Sequence, residues 1–307
     1  MNLSISVVIA TKDRSEDLIT FLDSLNKQSC LPQECIIVDA SDKNEEELYK
    51  KKLHSDIKFV YIPASPGLTI QRNIGINSSH GDVVFFFDDD VILESEYLEE
   101  AMKIYAEYEH CGGVVGKITN IGRLVQNWKY KLMQLLCYFF QVEYYDDRGQ
   151  MRKSGLKNDF YFGNTVQSIQ SASGCCMSFR KNILKQVGMF DENLVGYSYM
   201  EDVDIGFRVS RIASVYFCPM SKCVHNQSPN NRLKDFENGK MFMINWHYLF
   251  RKNLPQRIDY LLSHYMAFFF LIVMHFYNFR FRRLAGMISG AKSILFKQDK
   301  LSKIIFS

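Results

Sequence analysis

Several common signatures are missing from this 307-residue sequence, and each absence argues against a class of protein. The dinucleotide fingerprint G-x-G-x-x-G is absent, which argues against a nicotinamide enzyme. No Gly/Lys-rich triphosphate loop follows the first predicted strand, which argues against a nucleotidyltransferase. The eight cysteines form no small-domain disulfide framework and show no C-x-x-C spacing. The net charge of +3 is too small to argue for nucleic-acid binding.

We expect no signal peptide, because Met1-Asn2-Leu3-Ser4 leads directly into a strand-like run. We therefore expect reduced cysteines in a cytoplasmic protein. With 47% hydrophobic and 23% charged residues, the composition is that of a folded protein. The length is enough for one large domain or for a domain with an appendage.

The first 120 residues alternate between strand and helix patterns. Apolar runs at Ser4–Ala10, Cys35–Val38, Phe59–Ile62 and Asp82–Phe87 predict four strands, and helical spacing occurs between them. This rhythm predicts an α/β fold with a mostly parallel twisted sheet and helices on both faces.

The alternation breaks from about Gly113 onward. We predict an aromatic amphipathic helix at Asn127–Tyr145 and a small-residue strand at Ser171–Phe179. A charged helix is predicted at Asp202–Ile212, and Leu261–Phe279 is almost wholly apolar.

Three carboxylates, Asp88, Asp89 and Asp90, follow directly on the apolar run Val83–Phe87. Isolated charges at the end of a buried strand are costly, so a cation should compensate them. A divalent metal that prefers oxygen ligands is the natural candidate. The alternative is a solvated acidic turn.

Other polar residues follow the neighbouring strands: Thr11, Asp13 and Arg14 after the first, and Asp39 after the second. Ligands of open α/β sheets bind just beyond the carboxyl ends of strands, where a nucleotide fits. We expect Asp39 to accept from a base N–H, Asp88 or Asp89 to hold ribose hydroxyls, and Asp90 to bind the metal on the diphosphate. Taken singly, Asp13 or Asp39 is equally well a helix cap or turn residue.

Gly67 and Arg72 open the third predicted helix. Gly67 permits close backbone approach, and Arg72 can pair with phosphate or with an acidic partner.

A second acidic group, Glu201 and Asp202, lies at the start of a predicted helix. These residues are either N-terminal caps or include a general base that removes a proton from an attacking hydroxyl. His225 comes after the predicted strand Val215–Cys218. It is either a structural histidine or a neutral imidazole that completes a Mn²⁺ or Mg²⁺ site.

These residues together resemble family 2 glycosyltransferases of the GT-A fold, close to bacterial rhamnosyltransferase-like and O-antigen enzymes. The segments that carry the resemblance lie in the family's order, at Val7–Arg14, Val38–Asp39, Gly67–Gly75, Phe87–Asp90, Gly188–Asp191, Glu201–Asp204 and His225.

The resemblance implies a nucleotide-sugar donor, a divalent metal, inversion at the anomeric carbon and a role in building bacterial surface glycans. It implies Asp90 as metal ligand in the D-x-D element, Asp202 as base and Asp39 as nucleobase contact. His225 matches a second metal position seen in part of the family. The rival enzyme class is a nucleotidyltransferase, and the rival from another class is a non-catalytic binding module of the same fold.

The organisation that we predict is a GT-A catalytic domain over residues 1–230 and a helical extension over 231–307. Within the first, residues 1–120 form the nucleotide-binding half and residues 121–230 the acceptor half. The apolar segment Leu261–Phe279 is a core or dimer helix, an interfacial helix or a membrane span. Arg280, Arg282 and Arg283 favour contact with an anionic leaflet. We expect a cytoplasmic protein that is peripheral on the inner face of the plasma membrane. Its expected acceptor is a glycan or a lipid-linked molecule, and the sequence is compatible with a homo-oligomer.

Overall fold

The computed structural model describes residues 3–121, 128–142, 149–158, 163–227 and 233–305. Within these residues the chain forms nine strands and eleven helices. The strands are β1 (Ile5–Thr11), β2 (Glu34–Asp39), β3 (Lys58–Pro63), β4 (Val83–Phe87), β5 (Val91–Leu93), β6 (Cys111–Ile118), β7 (Gln167–Ile169), β8 (Cys176–Arg180) and β9 (Ser214–His225). The helices are α1 (Ser15–Leu25), α2 (Glu46–Lys52), α3 (Leu68–Ser78), α4 (Tyr97–Glu107), α5 (Trp128–Phe139), α6 (Lys181–Gln186), α7 (Glu201–Ser210), α8 (Asp235–Asn253), α9 (Ile258–Tyr277), α10 (Phe281–Leu295) and α11 (Lys300–Ile305).

Two compact units divide the chain. Unit 1 comprises Met1–Gly122 and Tyr161–Asn230, and unit 2 comprises Arg123–Phe160 and Asn231–Ser307. Arg123–Phe160 thus group with the C-terminal helices. The catalytic domain over residues 1–230 and the extension over 231–307 stay predictions. The division of residues 1–120 and 121–230 into nucleotide-binding and acceptor halves stays a prediction.

The sheet of unit 1 has the strand order β3-β2-β1-β4-β8-β6-β9-β5, and β7 pairs with β9. The first four strands are parallel, as the alternation predicted. The strands β1, β2 and β4 are buried almost throughout. Continuous apolar runs of this kind are typical of strands covered on both faces.

The second half of unit 1 adds antiparallel pairs, because β8 runs against both β4 and β6. Two strand predictions in this half were wrong. The strand predicted at Ser171–Phe179 begins only at Cys176, since the preceding small residues form a turn in which the Cys176 N–H donates to the Ser173 carbonyl at 3.1 Å. The strand predicted to end at Cys218 continues to His225, because its last residues pair with β5.

None of the eight cysteines forms a disulfide, and seven of them are buried. This agrees with the prediction of reduced cysteines and with the absence of a disulfide framework.

Unit 2 is mainly helical in its described residues, and an isolated antiparallel bridge joins Met151 to Lys157. Its helices α8 and α10 approach closely at glycines, because a Cβ atom on Gly286 would collide with the Phe236 carbonyl and one on Gly239 with the Arg283 carbonyl. Small residues that let backbones touch bring two helices into close packing. The predicted helix Asn127–Tyr145 corresponds to α5, and its residues 127 and 143–145 lie outside the described residues.

A pair of buried histidines fastens α9 to α8. The Nδ1 of His264 lies 2.8 Å from the Ser154 carbonyl, so this nitrogen carries the proton. The Nε2 of His264 is therefore an acceptor, and the Nδ1 of His247 donates to it at 3.0 Å. The indole N–H of Trp246 donates to the same Ser154 carbonyl at 3.0 Å. His264 must be neutral for this network to form, because its Nε2 accepts a hydrogen bond.

The histidine pair predicts a loss of stability in acid. Burial lowers the pKa of His264 to about 3 and the pKa of His247 to about 4. An unfolded histidine titrates near pH 6.5, so between pH 6.5 and these values the unfolded chain binds protons that the native chain does not. The stabilisation is complete above about pH 6.5 and decreases below it, by about 2 kcal/mol per histidine at pH 5.

Urea unfolding of the full chain, followed by the fluorescence of its two tryptophans, Trp128 and Trp246, measures this effect at neutral and mildly acidic pH. The variant His264→Gln should be less stable at neutral pH and should show a shallower decrease in acid. An equally steep decrease in the variant would assign the acid sensitivity to other groups.

One helix of the described chain, α9, is long and apolar enough to cross a membrane by length and composition. Its mean hydropathy is 1.4 over an 18-residue window, of which 17% is buried. A single helix of this kind is weak evidence for a span.

Candidate active site

The site begins at the carboxyl ends of three adjacent parallel strands. The register pairs Thr11 with Asp39 and Ile9 with Phe87, so the residues that follow these strands lie along one edge of the sheet. The predicted acidic residues are therefore brought together by the sheet itself.

The three consecutive aspartates have different main partners, although Arg14 Nη1 also lies 3.7 Å from Asp90 Oδ2. Asp89 accepts from the Thr11 hydroxyl at 2.7 Å and from Arg14 Nη1 at 3.0 Å, and it is buried. Burial raises the pKa of Asp89 to about 7, although Arg14 opposes the shift. Asp89 thus fastens the segment after β1 to the segment after β4.

Asp88 and Asp90 lie together with His225 instead. One ligand atom from each of the three residues lies within 4.8 Å of the other two. The Nε2 of His225 is 3.0 Å from Asp90 Oδ1 and 4.0 Å from Asp88 Oδ2. His225 reaches them because it ends β9 and pairs with Val91, the residue that follows Asp90.

The charge on His225 depends on these carboxylates. Burial would lower the pKa of His225, but the hydrogen bond to Asp90 and the interactions with Cys175 and Asp88 raise it to about 11. An imidazolium then balances part of the negative charge. A metal ion would take the place of its proton, since only the neutral imidazole is a ligand.

The three residues fit a divalent cation. Two carboxylates and one imidazole form a donor set that suits Mn²⁺, and Mg²⁺ also accepts carboxylate oxygens. Asp90 and His225 were predicted as ligands from the sequence. The structure adds Asp88, which the sequence suggested for ribose.

Arg72 connects this group to the second acidic pair. Its side chain is 2% exposed, and Nη1 donates to Glu201 Oε1 at 2.8 Å. Nη2 donates to Asp88 Oδ1 at 3.1 Å and to the Gly174 carbonyl at 2.8 Å. Arg72 was expected to pair with phosphate or with an acidic partner, and in the structure it pairs with Asp88 and Glu201.

Asp202 and Glu201 occupy different environments, although they are neighbours in the first turn of α7. Glu201 is buried against Arg72, and burial together with Asp202 raises its pKa. Asp202 is half-buried; its Oδ2 accepts from the Gly174 N–H at 2.9 Å and its Oδ1 from the Val203 N–H at 2.8 Å. Asp202 is therefore oriented by the backbone and accessible, which are the properties a base needs.

Gly174 was missed by sequence reasoning. It holds Arg72 with its carbonyl and Asp202 with its N–H. A Cβ atom at this position would lie 2.9 Å from Glu201 Oε1, so a side chain here would displace the carboxylate that pairs with Arg72. The signal was the run of small residues Ser171–Gly174 before β8.

Asp39 lies at the far end of the same edge and is 2% exposed. Its Oδ1 accepts from the Ser41 N–H at 2.8 Å, and its Oδ2 accepts from the Tyr61 hydroxyl at 3.0 Å. Burial and Asp39 raise the pKa of Tyr61 to about 12, so its hydroxyl remains a donor. Tyr61 is a second residue that the sequence did not suggest.

The remaining predicted residues surround this end of the edge. Asp13 is exposed, and its N–H donates to the Ser41 hydroxyl at 2.7 Å. Gly67, with φ of 156°, precedes α3 in a conformation that side-chain-bearing residues rarely adopt. Gln71, which was not predicted, donates from its amide to the carbonyls of Thr11 and Val38 and so ties β1 to β2.

The family model described as "Glycosyl transferase family 2" matches residues 6–188, which is more than half of the chain. The chain belongs to this family. The family predicted from the resemblance is therefore confirmed.

Curated relatives agree with this assignment. The sequence is 26% identical over 202 residues to the glucosyl-dolichyl phosphate glucuronosyltransferase of Haloferax volcanii, covering 62% of this chain and 57% of that protein. It is 22% identical over 260 residues to the uncharacterized glycosyltransferase YfnE of Bacillus subtilis, covering 74% of this chain and 65% of that protein. The chain therefore spans less than two thirds of the length of both relatives.

The fold is confirmed by a mannosyltransferase, PcManGT from Pyrobaculum calidifontis, solved in complex with GDP-Man and Mn²⁺. It aligns with a TM-score of 0.59 at 12% identity over 100% of this chain and 79% of that chain. At this identity the likeness shows the GT-A fold alone, with its mixed α/β sheet and the helical region that follows.

Proposed function

We propose that this family 2 glycosyltransferase is metal-dependent and inverting, and that it moves a sugar from a nucleotide-sugar donor to a hydroxyl of a glycan or lipid-linked acceptor. The observation that carries the proposal is the group of Asp88, Asp90 and His225, joined through Arg72 to Glu201 and the Asp202 turn. This arrangement combines a cation site with a separate carboxylate base.

The donor lies along the strand edge in this proposal. Asp39, held by Ser41 and Tyr61, contacts the nucleobase, and the segments bearing Thr11, Asp13, Arg14 and Gly67 complete the donor site. Asp89 contributes by fixing Arg14 and Thr11 in place. The mannosyltransferase bound to GDP-Man and Mn²⁺ supports a nucleotide-sugar donor together with a divalent ion.

Asp88, Asp90 and His225 would hold Mn²⁺ or Mg²⁺, whose charge would neutralise the diphosphate leaving group. Asp202 removes the proton from the acceptor hydroxyl as the oxygen attacks the face of the sugar opposite the diphosphate. A single displacement of this kind inverts the anomeric carbon and needs no covalent enzyme intermediate. Positioning and electrostatics supply most of the acceleration.

Glu201 and Arg72 position these groups. Arg72 contacts Asp88 on the cation side and the Gly174 carbonyl on the base side, and its buried ion pair with Glu201 fixes the guanidinium. A change in this pair would disturb the cation site and the base together.

The role that we propose is bacterial surface polysaccharide synthesis of the rhamnosyltransferase-like or O-antigen type, at the cytoplasmic face of the plasma membrane. A relative named for a glucosyl-dolichyl phosphate supports a lipid-linked acceptor. The sequence resemblance supports the bacterial surface glycan.

Incubation with a panel of nucleotide sugars tests the proposal through the release of nucleoside diphosphate. We expect one or a few donors to be consumed with Mn²⁺ or Mg²⁺, and the reaction to stop with a chelator and to resume when the metal is restored. Release of pyrophosphate from a nucleoside triphosphate and a sugar 1-phosphate, with no nucleotide sugar consumed, would indicate a nucleotidyltransferase. Full turnover in chelator would contradict the metal site, and retention of the anomeric configuration would contradict inversion.

A further inference from the structure

Helix α9 carries an exposed apolar stripe along its whole length. The stripe consists of residues whose spacing averages 3.6 positions, one helical turn, and whose exposed fractions are 76, 58, 58, 63, 46 and 64%, namely Ile258, Leu262, Tyr265, Phe269, Val273 and Phe276. A helix of 20 residues extends about 30 Å, which is about the diameter of a small domain. About half or more of each of these side chains is exposed.

The opposite face of α9 is buried within unit 2. His264, Ala267 and Phe270 are the buried residues of the helix. The ring of His264 lies 4.3 Å from the Trp246 ring and 4.1 Å from the Phe250 ring, both on α8. The histidine hydrogen bonds described above fix this face, so the stripe is a permanent surface of unit 2.

The stripe ends in an aromatic and basic tip, which we define as residues 276–282. Tyr277, Phe279 and Phe281 are 74, 80 and 51% exposed, and Arg280 and Arg282 between and beside them are exposed as well. The ring centroids of Phe279 and Phe281 are 5.9 Å apart. Aromatic side chains next to arginines are typical of the boundary between lipid headgroups and acyl chains.

The charge of the chain is divided unequally. Residues 231–307 contain 13 Lys and Arg against 4 Asp and Glu, a net charge of +9, whereas residues 1–230 contain 24 against 30, a net charge of −6. The overall value of +3 conceals this division. The apolar stripe therefore belongs to the strongly cationic part of the sequence.

We propose that the α9 stripe and the 276–282 tip form a docking surface for an anionic phospholipid membrane, with α9 lying in the interface. Apolar burial and attraction to anionic headgroups together give stable association, where either alone is weak. This deepens the localisation in the proposed function and does not depend on the catalytic chemistry.

Two other occupants fit the observations less well. A second copy of the chain would bring together two segments of charge +9, which repel each other. A membrane-spanning α9 would have to leave α8 or draw it into the lipid, because His264 and Trp246 hold the two helices to the Ser154 carbonyl. A docked membrane needs neither change.

Flotation of the purified full-length chain with lipid vesicles tests the proposal, since flotation separates bound protein from aggregates. Vesicles of phosphatidylcholine with phosphatidylglycerol should carry the protein upward, and vesicles of pure phosphatidylcholine should carry much less. High salt should weaken the binding, because charges at a surface are screened.

Two double variants separate the contributions. Arg280→Glu with Arg282→Glu should weaken binding to anionic vesicles at least about 10-fold, from the loss of attraction at both positions. Leu262→Ser with Phe269→Ser should weaken it by a similar factor, by removing apolar area from the stripe. All four side chains are exposed, so the melting temperature should stay close to that of the parent chain.

Matched variants in unit 1 serve as controls. Lys51→Glu with Lys52→Glu reverses two exposed charges on α2, and Ile212→Ser removes a side chain that is 47% exposed. Both should leave flotation unchanged.

Four outcomes would overturn the proposal. The first two are the absence of flotation with anionic vesicles and equal flotation of the stripe and control variants. The third is retention in the membrane after alkaline extraction, which would indicate a membrane span. The fourth is a dimer that forms without lipid and that the stripe variant dissociates. Nucleotide-sugar turnover enters none of these measurements, so failure here is distinguishable from failure of the proposed function.

Discussion

Replacing Asp90 by asparagine is expected to lower turnover by about 10²- to 10³-fold and to weaken metal-dependent nucleotide binding. Asparagine keeps the shape of the side chain and removes the negative charge that faces His225 at 3.0 Å. A metal ion contributes several kcal/mol of charge stabilisation in the transition state, and about 1.4 kcal/mol corresponds to a factor of ten. Loss of one ligand should remove much of this contribution.

Three measurements on Asp90→Asn identify the cause. Calorimetric titration of Mn²⁺ should show weaker binding, nucleoside diphosphate affinity should lose most of its Mn²⁺ dependence, and the melting temperature should report the fold. Asp56→Asn is the matched control, because the Asp56 side chain is 75% exposed and lies outside the site. Unchanged metal affinity with full turnover would exclude Asp90 as a ligand.

Replacing Asp202 by asparagine should lower kcat by about 10²- to 10⁴-fold, the range of general-base catalysis, and leave donor binding largely unchanged. The substitution preserves the size of the side chain and removes its basicity. Asparagine can accept from only one of the two backbone N–H groups, Gly174 and Val203, that Asp202 now serves. Some loss of stability is therefore expected beside the loss of rate.

The neighbouring variant Glu201→Gln provides the contrast. Glu201 is buried against Arg72, so weakening the pair should destabilise the fold by about 1–3 kcal/mol and affect catalysis through the position of Arg72. We expect Asp202→Asn to have the larger effect on kcat and Glu201→Gln the larger effect on the melting temperature. The reverse pattern would assign the base to Glu201, and equal losses of donor affinity and rate in Asp202→Asn would indicate a folding role.

Local signals in the sequence were sufficient for the first half of the sheet. The runs that became β1, β2 and β4 are apolar because both faces are covered, and their ends are marked by Thr11, Asp39 and Asp88. Parallel pairing then places these ends at one edge without further information. The family assignment rests on the same residues.

The second half could not be predicted at the same level, since its strands pair with distant partners. The turn before β8 holds Arg72 and Asp202, and its only local signal was a run of small residues. The extension of β9 to His225 depends on β5, a strand of three residues that follows the aspartates. Pairing of this kind is decided by the tertiary structure.

The sequence by itself determined which chemical groups this protein has: carboxylates at strand ends, an acidic pair at a helix start, a histidine and a cationic apolar tail. Only the tertiary structure decided how they are divided, with Asp89 fastened to Arg14 while Asp88 and Asp90 face His225, and with Glu201 buried while Asp202 remains accessible. It also decided which face of α9 is buried. The physical reason is that residue type fixes the chemistry, whereas burial, hydrogen bonding and charge compensation depend on neighbours that are distant in the chain.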